Sequence, residues 1–416
     1  MKPIFFFLFV TLIILSVDFY VWQGVKVLLQ NATPRSRYWI RWTYWGFTLF
    51  NFLLFFTFRF GLLQDFHRAS LQLIFFLAFA VLVGKIIWMA FLLTDDLIRL
   101  VRLVLQNTGV TAPEPGKSVN TVSRLRFLSQ AGALLGAGLI TAMTWGVAKG
   151  AHNYSIRRRS LRLKGLPEAF RGLKVVQISD IHSGSFWSYD AVKRGVDMIL
   201  NEKPDVVFFT GDMVNDRAEE MEPWKELFSR LKAPLGVYSI LGNHDYGDYV
   251  PWPSAEAKHA NLEQLKKNHA DLGWNLLLNE HRVLEKDGAS IALLGVENWS
   301  NKARFPKYGK LQQALKGTDP YPVKLLLSHD PSHWKAEVLG KTDIQATFSG
   351  HTHGMQFGVD SRYYRWSPVK YVYKEWMDLY EEQGQYLYVN RGFGYLGYPG
   401  RLGINPEITV FTLETA

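Results

Sequence analysis

Asp180 and His182 close an apolar run, residues 173–178, and sit two residues apart, so an extended chain puts both side chains on one side. A carboxylate oxygen and an imidazole nitrogen together suit Zn, Fe or Mn. Alone, Asp-x-His is a weak sign, but four more apolar runs end the same way. Residues 206–210 lead into Gly211, Asp212, Asn215 and Asp216, and residues 237–241 into Gly242, Asn243, His244 and Asp245. Residues 323–328 lead into His329, and 344–349 into Gly350, His351 and His353. Five of the chain's 11 histidines fall in these fragments, which scattered surface histidines would not do. Five strands ending in Asp, Asn or His predict one sheet system with a ligand crevice along its carboxyl edge. Gly211, Gly242 and Gly350 mark sharp backbone turns beside that ligand.

The ordered set Asp-x-His, Gly-Asp, Gly-Asn-His-Asp, His, Gly-His-x-His resembles the calcineurin-like metallophosphoesterases over residues 155–416. The bacterial membrane-associated branch, with its phosphodiesterases and UDP-2,3-diacylglucosamine hydrolases, is the nearest in flavour. The resemblance implies two divalent metals, Mn, Fe or Zn. It places Asp180, His182 and His353 on the first, Asn243, His329 and His351 on the second, and Asp212 between them. Two such ions about 3.5–4 Å apart neutralise a phosphate ester and lower the pKa of a shared water, giving a hydroxide that attacks phosphorus. A structural role for these seven residues is the weaker reading, because clustering them in a core without a cation is costly.

His244 resembles the family's histidine that faces the leaving-group oxygen as proton donor or charge stabiliser. The sequence departs from the protein phosphatases here: where they orient that histidine with an Asp, this chain has Asn215, followed by Asp216. Asn215, Asp216 and Asp245 are all candidates for the orienting group. Met355 is a second departure, since related sequences often have glycine there. Arg391, in the glycine-rich turn 390–394, is either a phosphate contact or an ordinary surface arginine. Residues 362–376 are dense in aromatics and Lys/Arg, which suits a lipid headgroup zone or a lid on an amphiphilic substrate, as well as a plain packed loop.

These residues must be held by an α/β domain. Helices are expected at 189–202, 218–231 and 255–272, and further strands at 290–296, 385–390 and 407–413. The resemblance implies two packed mixed sheets flanked by helices. Residues 155–163 alternate partly like an edge strand.

The first 150 residues read differently. Apolar runs at 4–22, 42–58, 69–93 and 129–148 each approach the ~20 residues that span a hydrocarbon core. The division is therefore a transmembrane region, 1–150, with about four spans, and a catalytic domain, 151–416. Gly132 and Gly136 suit close helix packing. Residues 97–105 fit a surface helix or an extension of the third span, and 108–120 a loop. The formal charge of +10 is concentrated here, with 14 Lys+Arg against 5 Asp+Glu. The second part, at 33 against 32, gives no electrostatic case for nucleic acid. Basic residues in loops 23–41 and 94–128 favour an extracytoplasmic catalytic domain. Arg157, Arg158 and Arg159 argue the other way if they anchor at the membrane. The absence of cysteine excludes disulfides, thiolate metal sites and a cysteine nucleophile.

The expectation is a membrane-anchored dimetal phosphoesterase acting on a phosphodiester or pyrophosphate of a lipid-linked or amphiphilic substrate through a metal-bound hydroxide. The alternatives are a UDP-2,3-diacylglucosamine hydrolase of lipid A synthesis, with a cytoplasmic site, and a membrane sensor that binds metal without turnover.

Overall fold

The computed structural model describes residues 3–59, 68–107 and 124–416, in two compact units, Met1–Trp145 and Gly146–Ala416. The loop expected at 108–120 lies outside the described residues.

The first unit holds four helices, α1 (Pro3–Leu28), α2 (Pro34–Arg59), α3 (Arg68–Asn107) and α4 (Arg124–Ala148). Among the described residues, three stretches are long and apolar enough to cross a membrane: Leu8–Leu28, Leu73–Asn107 and Arg124–His152. The fourth expected span, at 42–58, lies in α2, which is less apolar than those three. Its helix carries Arg35, Arg37 and Arg41, and its aromatic side chains include polar-tipped Trp and Tyr. Residues 97–105 continue α3 without a break. Gly132 and Gly136 do serve close packing: a Cβ on Gly136 would come 2.6 Å from the carbonyl oxygen of Gly84, and one on Gly132 2.8 Å from Trp88. Asp18 is buried in this unit and fully partnered. Lys85 lies 2.5 Å from its carboxylate, Thr48 donates to it at 2.8 Å, and Tyr44 donates to its backbone carbonyl at 2.8 Å.

The second unit is built on two six-stranded mixed sheets. The first runs β1 (Ser155–Leu163), β14 (Glu407–Thr415), β2 (Lys174–Ile178), β3 (Val206–Phe209), β4 (Val237–Ser239), β5 (Asn275–Leu276). The second runs β12 (Asp378–Glu382), β13 (Gln385–Val389), β9 (Ala346–Ser349), β8 (Lys324–Leu327), β7 (Ala289–Gly295), β6 (Glu280–Lys286). A two-stranded hairpin, β10 (Val359–Asp360) and β11 (Arg365–Trp366), stands apart from both.

Period-two alternation explains the layering. Val175, Val206 and Phe208 face inward to meet Leu325, Leu327 and Phe348 of the other sheet in one core. Their neighbours Val176, Ile178, Val207 and Phe209 face outward into a second core with helices Tyr189–Asn201 and Ala255–Asp271. The rings of Phe208 and Phe348 meet edge-on across the sheets at 5.2 Å.

Strands β2, β3 and β4 are parallel neighbours, as are β8 and β9, so their carboxyl ends emerge together. The helix expected at 218–231 is a 3-10 segment, Ala218–Trp224, followed by one turn, Lys225–Phe228. Pro223 lacks the N–H that a continuous helix would need. Strand β1 is an edge strand pairing only with β14, and its arginines are engaged within this unit: Arg157 with Asp360, Arg158 with Glu202 and Arg159 with Asp378.

Candidate metal centre

Five of the seven expected ligands leave their strand ends by left-handed turns, while Asn243 keeps right-handed backbone (φ −70°). Asp180 (φ 52°), His182 (47°), Asp212 (60°), His351 (71°) and His353 (51°) all have positive φ. Such backbone costs roughly 1–3 kcal/mol per residue and persists where the surroundings over-determine it, commonly at functional sites. The adjoining glycines are needed for close approach. A Cβ at Gly242 would stand 2.2 Å from the Asp212 carboxylate, and one at Gly350 2.3 Å from that of Asp180.

The turns deliver two groups of donors. Asp180, His182 and His353 form one; Asp212, His329 and His351 the other, with the ligand atoms in each all within 4.8 Å of one another. In the first, His353 Nε2 lies 3.1 Å from Asp180 Oδ1 and 3.1 Å from His182 Nε2. In the second, His351 Nδ1 lies 2.7 Å from Asn243 Oδ1 and 3.3 Å from His329 Nε2. One carboxylate oxygen touches both groups: Asp212 Oδ2 is 3.2 Å from His329 Nε2 and 3.5 Å from His182 Nε2.

Outer partners aim these rings. His329 Nδ1–H donates to the Thr210 carbonyl at 2.7 Å, which aims its Nε2 at the site. Tyr373 donates its hydroxyl proton to Asp330 at 3.0 Å and accepts from His351 Nε2–H at 2.9 Å, so the lone pair of His351 is on Nδ1, toward Asn243. Asn243 Nδ2 donates to Tyr249 at 2.9 Å, turning its oxygen inward. Neither Tyr373 nor Asp330 stands out in the sequence: a tyrosine among many aromatics carries no spacing signal.

The electrostatics suit cations. Asp180 and Asp212 are buried, and burial opposes their charge, yet the surrounding histidines hold both carboxyls below the usual range. Burial pushes His182 down to about 3, leaving the neutral imidazole that a metal requires. Burial acts the same way on His329, but the Asp212 carboxylate outweighs it and raises that ring to about 10. Burial and the Asp212 charge push Asp245 up to about 7. Its carboxyl accepts from the backbone N–H of Gly242, Met213 and Asp212 at 2.8–2.9 Å and so ties two of the strand-end turns together. The two facing Nε2 atoms of His182 and His353 have room for one proton between them, and two buried carboxylates stand beside them. Divalent cations fit that donor set.

His244 lies beside this centre and lines its cavity. Its backbone N–H donates to Asp212 Oδ1 at 2.8 Å, and its Nδ1 lies 2.7 Å from the backbone carbonyl of Asn215. A main-chain oxygen thus holds the His244 ring. The Asn215 amide exchanges hydrogen bonds with Ser185, and the Asp245 carboxyl ties the turns. A residue's carbonyl cannot be foreseen from its type, which is why the sequence left this open.

Arg391 departs from expectation. It is wholly buried, its guanidinium ion-paired with Asp360 at 2.8 Å and Glu407 at 3.1 Å, and it does not line the cavity. Its turn instead backs the metal groups: a Cβ on Gly392 would reach Asp180 Cβ at 2.9 Å and His353 Nδ1 at 3.2 Å. Arg401, which sequence reasoning missed, is buried behind it and donates to the carbonyls of Arg391 and Gly392 at 2.8 and 3.2 Å.

A cavity of about 520 Å³ opens over the centre. His182, Asp212, Asn243, His244, His351 and His353 form its floor; Lys302 and Arg304 supply cations, and Phe305, Met355, Val369, Val372 and Leu396 an apolar wall. The aromatic segment 362–376 therefore reaches the site through Val369, Val372 and Tyr373.

Comparison with known proteins places these features. Residues 1–151 match the model of the calcineurin-like phosphoesterase transmembrane domain, and residues 173–355 that of the calcineurin-like phosphoesterases. The chain is 30% identical over 305 residues to the metallophosphoesterase YkuE of Bacillus subtilis, covering 71% of this chain and 98% of that one. It is 27% identical over 307 residues to the transmembrane protein with metallophosphoesterase domain of Bos taurus, covering 72% of this chain and 66% of that longer protein. It is also 28% identical over 275 residues to the UDP-2,3-diacylglucosamine pyrophosphatase LpxG of Chlamydia trachomatis, covering 55% of this chain and 81% of the relative. The chain belongs to the metallophosphoesterases, metal-dependent hydrolases of phosphoric esters, and is a membrane protein. Tyr373, Arg391 and Arg401 lie beyond the matched stretch that ends at 355.

The Tyr373 contact gives a first prediction. Tyr373→Phe removes the oxygen that fixes the His351 ring, so affinity for a metal at the Asp212, His329 and His351 group should fall roughly 10–100-fold, the usual cost of losing such a partner. Metal titration of the variant checks this; wild-type affinity would show that His351 is held without Tyr373.

Proposed function

We propose that this protein hydrolyses a phosphodiester or pyrophosphate of a lipid-linked or amphiphilic substrate, using two divalent metals held by residues 151–416 and anchored by residues 1–150. Asp180, His182 and His353 would hold one metal and Asn243, His329 and His351 the other, with Asp212 serving both. The observation that carries this reading is the single Asp212 oxygen within 3.5 Å of a histidine from each group. When bound, the two ions neutralise phosphate oxygens and acidify a coordinated water.

The chain's own residues do the rest. Lys302 and Arg304 attract the anion, and the wall of Val369, Val372 and Leu396 receives an apolar substituent and excludes water. His244, held by the Asn215 carbonyl, presents Nε2 to the leaving oxygen and gives it a proton. The catalytic domain is proposed to face outward from the cytoplasm.

The relative LpxG supports a second reading, cleavage of a UDP-diacylglucosamine-type pyrophosphate, which needs a cytoplasmic site. A non-catalytic sensor is disfavoured by the complete ligand set beside His244. The test is turnover by the full chain in nanodiscs, loaded with Mn²⁺, on a bis-nitrophenyl phosphodiester and on the corresponding monoester. A diester preference of tenfold or more is expected in kcat/KM. A monoester preference overturns the substrate class, and no turnover of either favours the sensor.

A further inference from the structure

Ten large apolar side chains in residues 146–416 stand exposed, and six of them fall within one short stretch: Met355, Val359, Tyr363, Tyr364, Tyr371 and Val372. Tyr363 is 91% and Tyr371 75% exposed, far beyond what a packed loop leaves open. A water-soluble surface rarely gathers so much apolar area unless something covers it.

The charges in the stretch narrow the choice. Arg362, Lys370 and Lys374 are exposed and have no carboxylate partner among the described contacts, and Arg362 and Lys370 lie 6.0 and 5.7 Å from the rings of Tyr363 and Tyr371. Its acidic neighbours are already engaged, Asp360 by Arg157 and Arg391, and Glu375 by Lys335. Tyrosines interleaved with free cations suit the headgroup layer of an anionic bilayer, where rings sit at the interface and Lys/Arg meet phosphate. The chain is a membrane protein, so such a surface is always within reach. Met355 and Val372 are at once exposed and part of the cavity wall, so the patch and the cavity are continuous.

We infer that residues 355–374 form a bilayer-docking surface that seats the mouth of the metal-centre cavity on anionic phospholipid, so that the phosphoester arrives from the membrane. The inference rests on the hydrolase reading above and specifies how its substrate is delivered. The hairpin β10–β11 supplies the tip, with Tyr363 and Tyr364 in its turn, and the segment after it returns to the cavity through Val369 and Tyr373.

The chain has no cysteine, so one introduced cysteine carries a unique label. The full chain is reconstituted in nanodiscs of zwitterionic and anionic phospholipid, labelled with a fluorophore at Tyr363→Cys, Tyr371→Cys or Glu285→Cys. Glu285 is an exposed position near the amino-terminal end of β7, the strand end opposite the cavity edge. Headgroup-nitroxide lipid should quench the first two labels and spare the third, more strongly as the anionic fraction rises. Tyr363→Ser/Tyr364→Ser/Tyr371→Ser should cut kcat/KM on a vesicle-borne phosphoester at least tenfold and leave a soluble nitrophenyl diester unaffected. Absent quenching at 363 and 371, equal quenching at all three positions, or energy transfer between labelled copies that replaces lipid quenching would overturn the inference. So would equal effects of the triple variant on both substrates. If the wild type cleaves neither ester while labels 363 and 371 are quenched, the hydrolase reading fails and the docking surface stands.

Discussion

Asp212→Asn is expected to abolish turnover and empty the metal centre. Asp212 is the residue whose one oxygen approaches histidines from both donor groups, and its other oxygen accepts the His244 backbone N–H. An amide keeps the shape but replaces one oxygen by an N–H₂ donor and removes the negative charge that two adjacent cations need. Activity should drop by about 10³-fold or more, beyond the loss of a single electrostatic donor, and elemental analysis should find less than one metal per chain. His353→Ala, by contrast, should empty mainly the group containing Asp180 and His182. An Asp212→Asn protein that keeps two metals and full activity would show that the carboxylate does not bridge.

His244→Ala should separate esters by their leaving groups. An alkoxide needs a proton as its bond to phosphorus breaks, whereas a nitrophenolate is stable without one. Loss of His244 should therefore slow an alkyl phosphodiester by the ~10²–10⁴-fold typical of a general acid and a nitrophenyl diester much less. Metal content should stay at the wild-type level, because the His244 ring lies outside both donor groups. Equal slowing of the two esters would reassign His244 to charge stabilisation, and loss of metal would make it a ligand. The Asn215 contact adds a comparison: a carbonyl aligns imidazolium but does not neutralise it, so Asn215→Ala, which keeps the carbonyl, should alter the rate far less than His244→Ala.

The donor residues gathered at the strand ends were legible because their spacing is imposed by the fold. A strand that must bury its side chains and then expose a donor at its end leaves a run of Val, Ile or Phe followed by Asp, Asn or His, as in β2, β3 and β9. The two sheets were expected only through the family resemblance, since nothing in the spacing of β8 and β9 says that they pair with β7 and β13 rather than with β2. What lay hidden has a common cause. The Tyr373–Asp330 pair, the Arg401 guanidinium behind the 391–394 turn and the carbonyl that holds His244 act across large sequence separations or through the main chain, where residue type is uninformative. Arg391 misled for the converse reason: an arginine in a glycine-rich turn looks available to a phosphate until Asp360 and Glu407 are seen to enclose it.

The central claim is that one bridging carboxylate serves two metals, and titrating metal-stripped full-length protein with Mn²⁺ while following turnover tests it most directly. His329, raised to about 10 in the metal-free site, is protonated at neutral pH, so its metal must displace that proton. Apparent affinity should therefore rise with pH toward 10, about tenfold per unit for that single proton, with protons released on binding. The account expects two equivalents per chain, with turnover reaching its maximum only as the second is taken up. Saturation at one equivalent with full activity would contradict it.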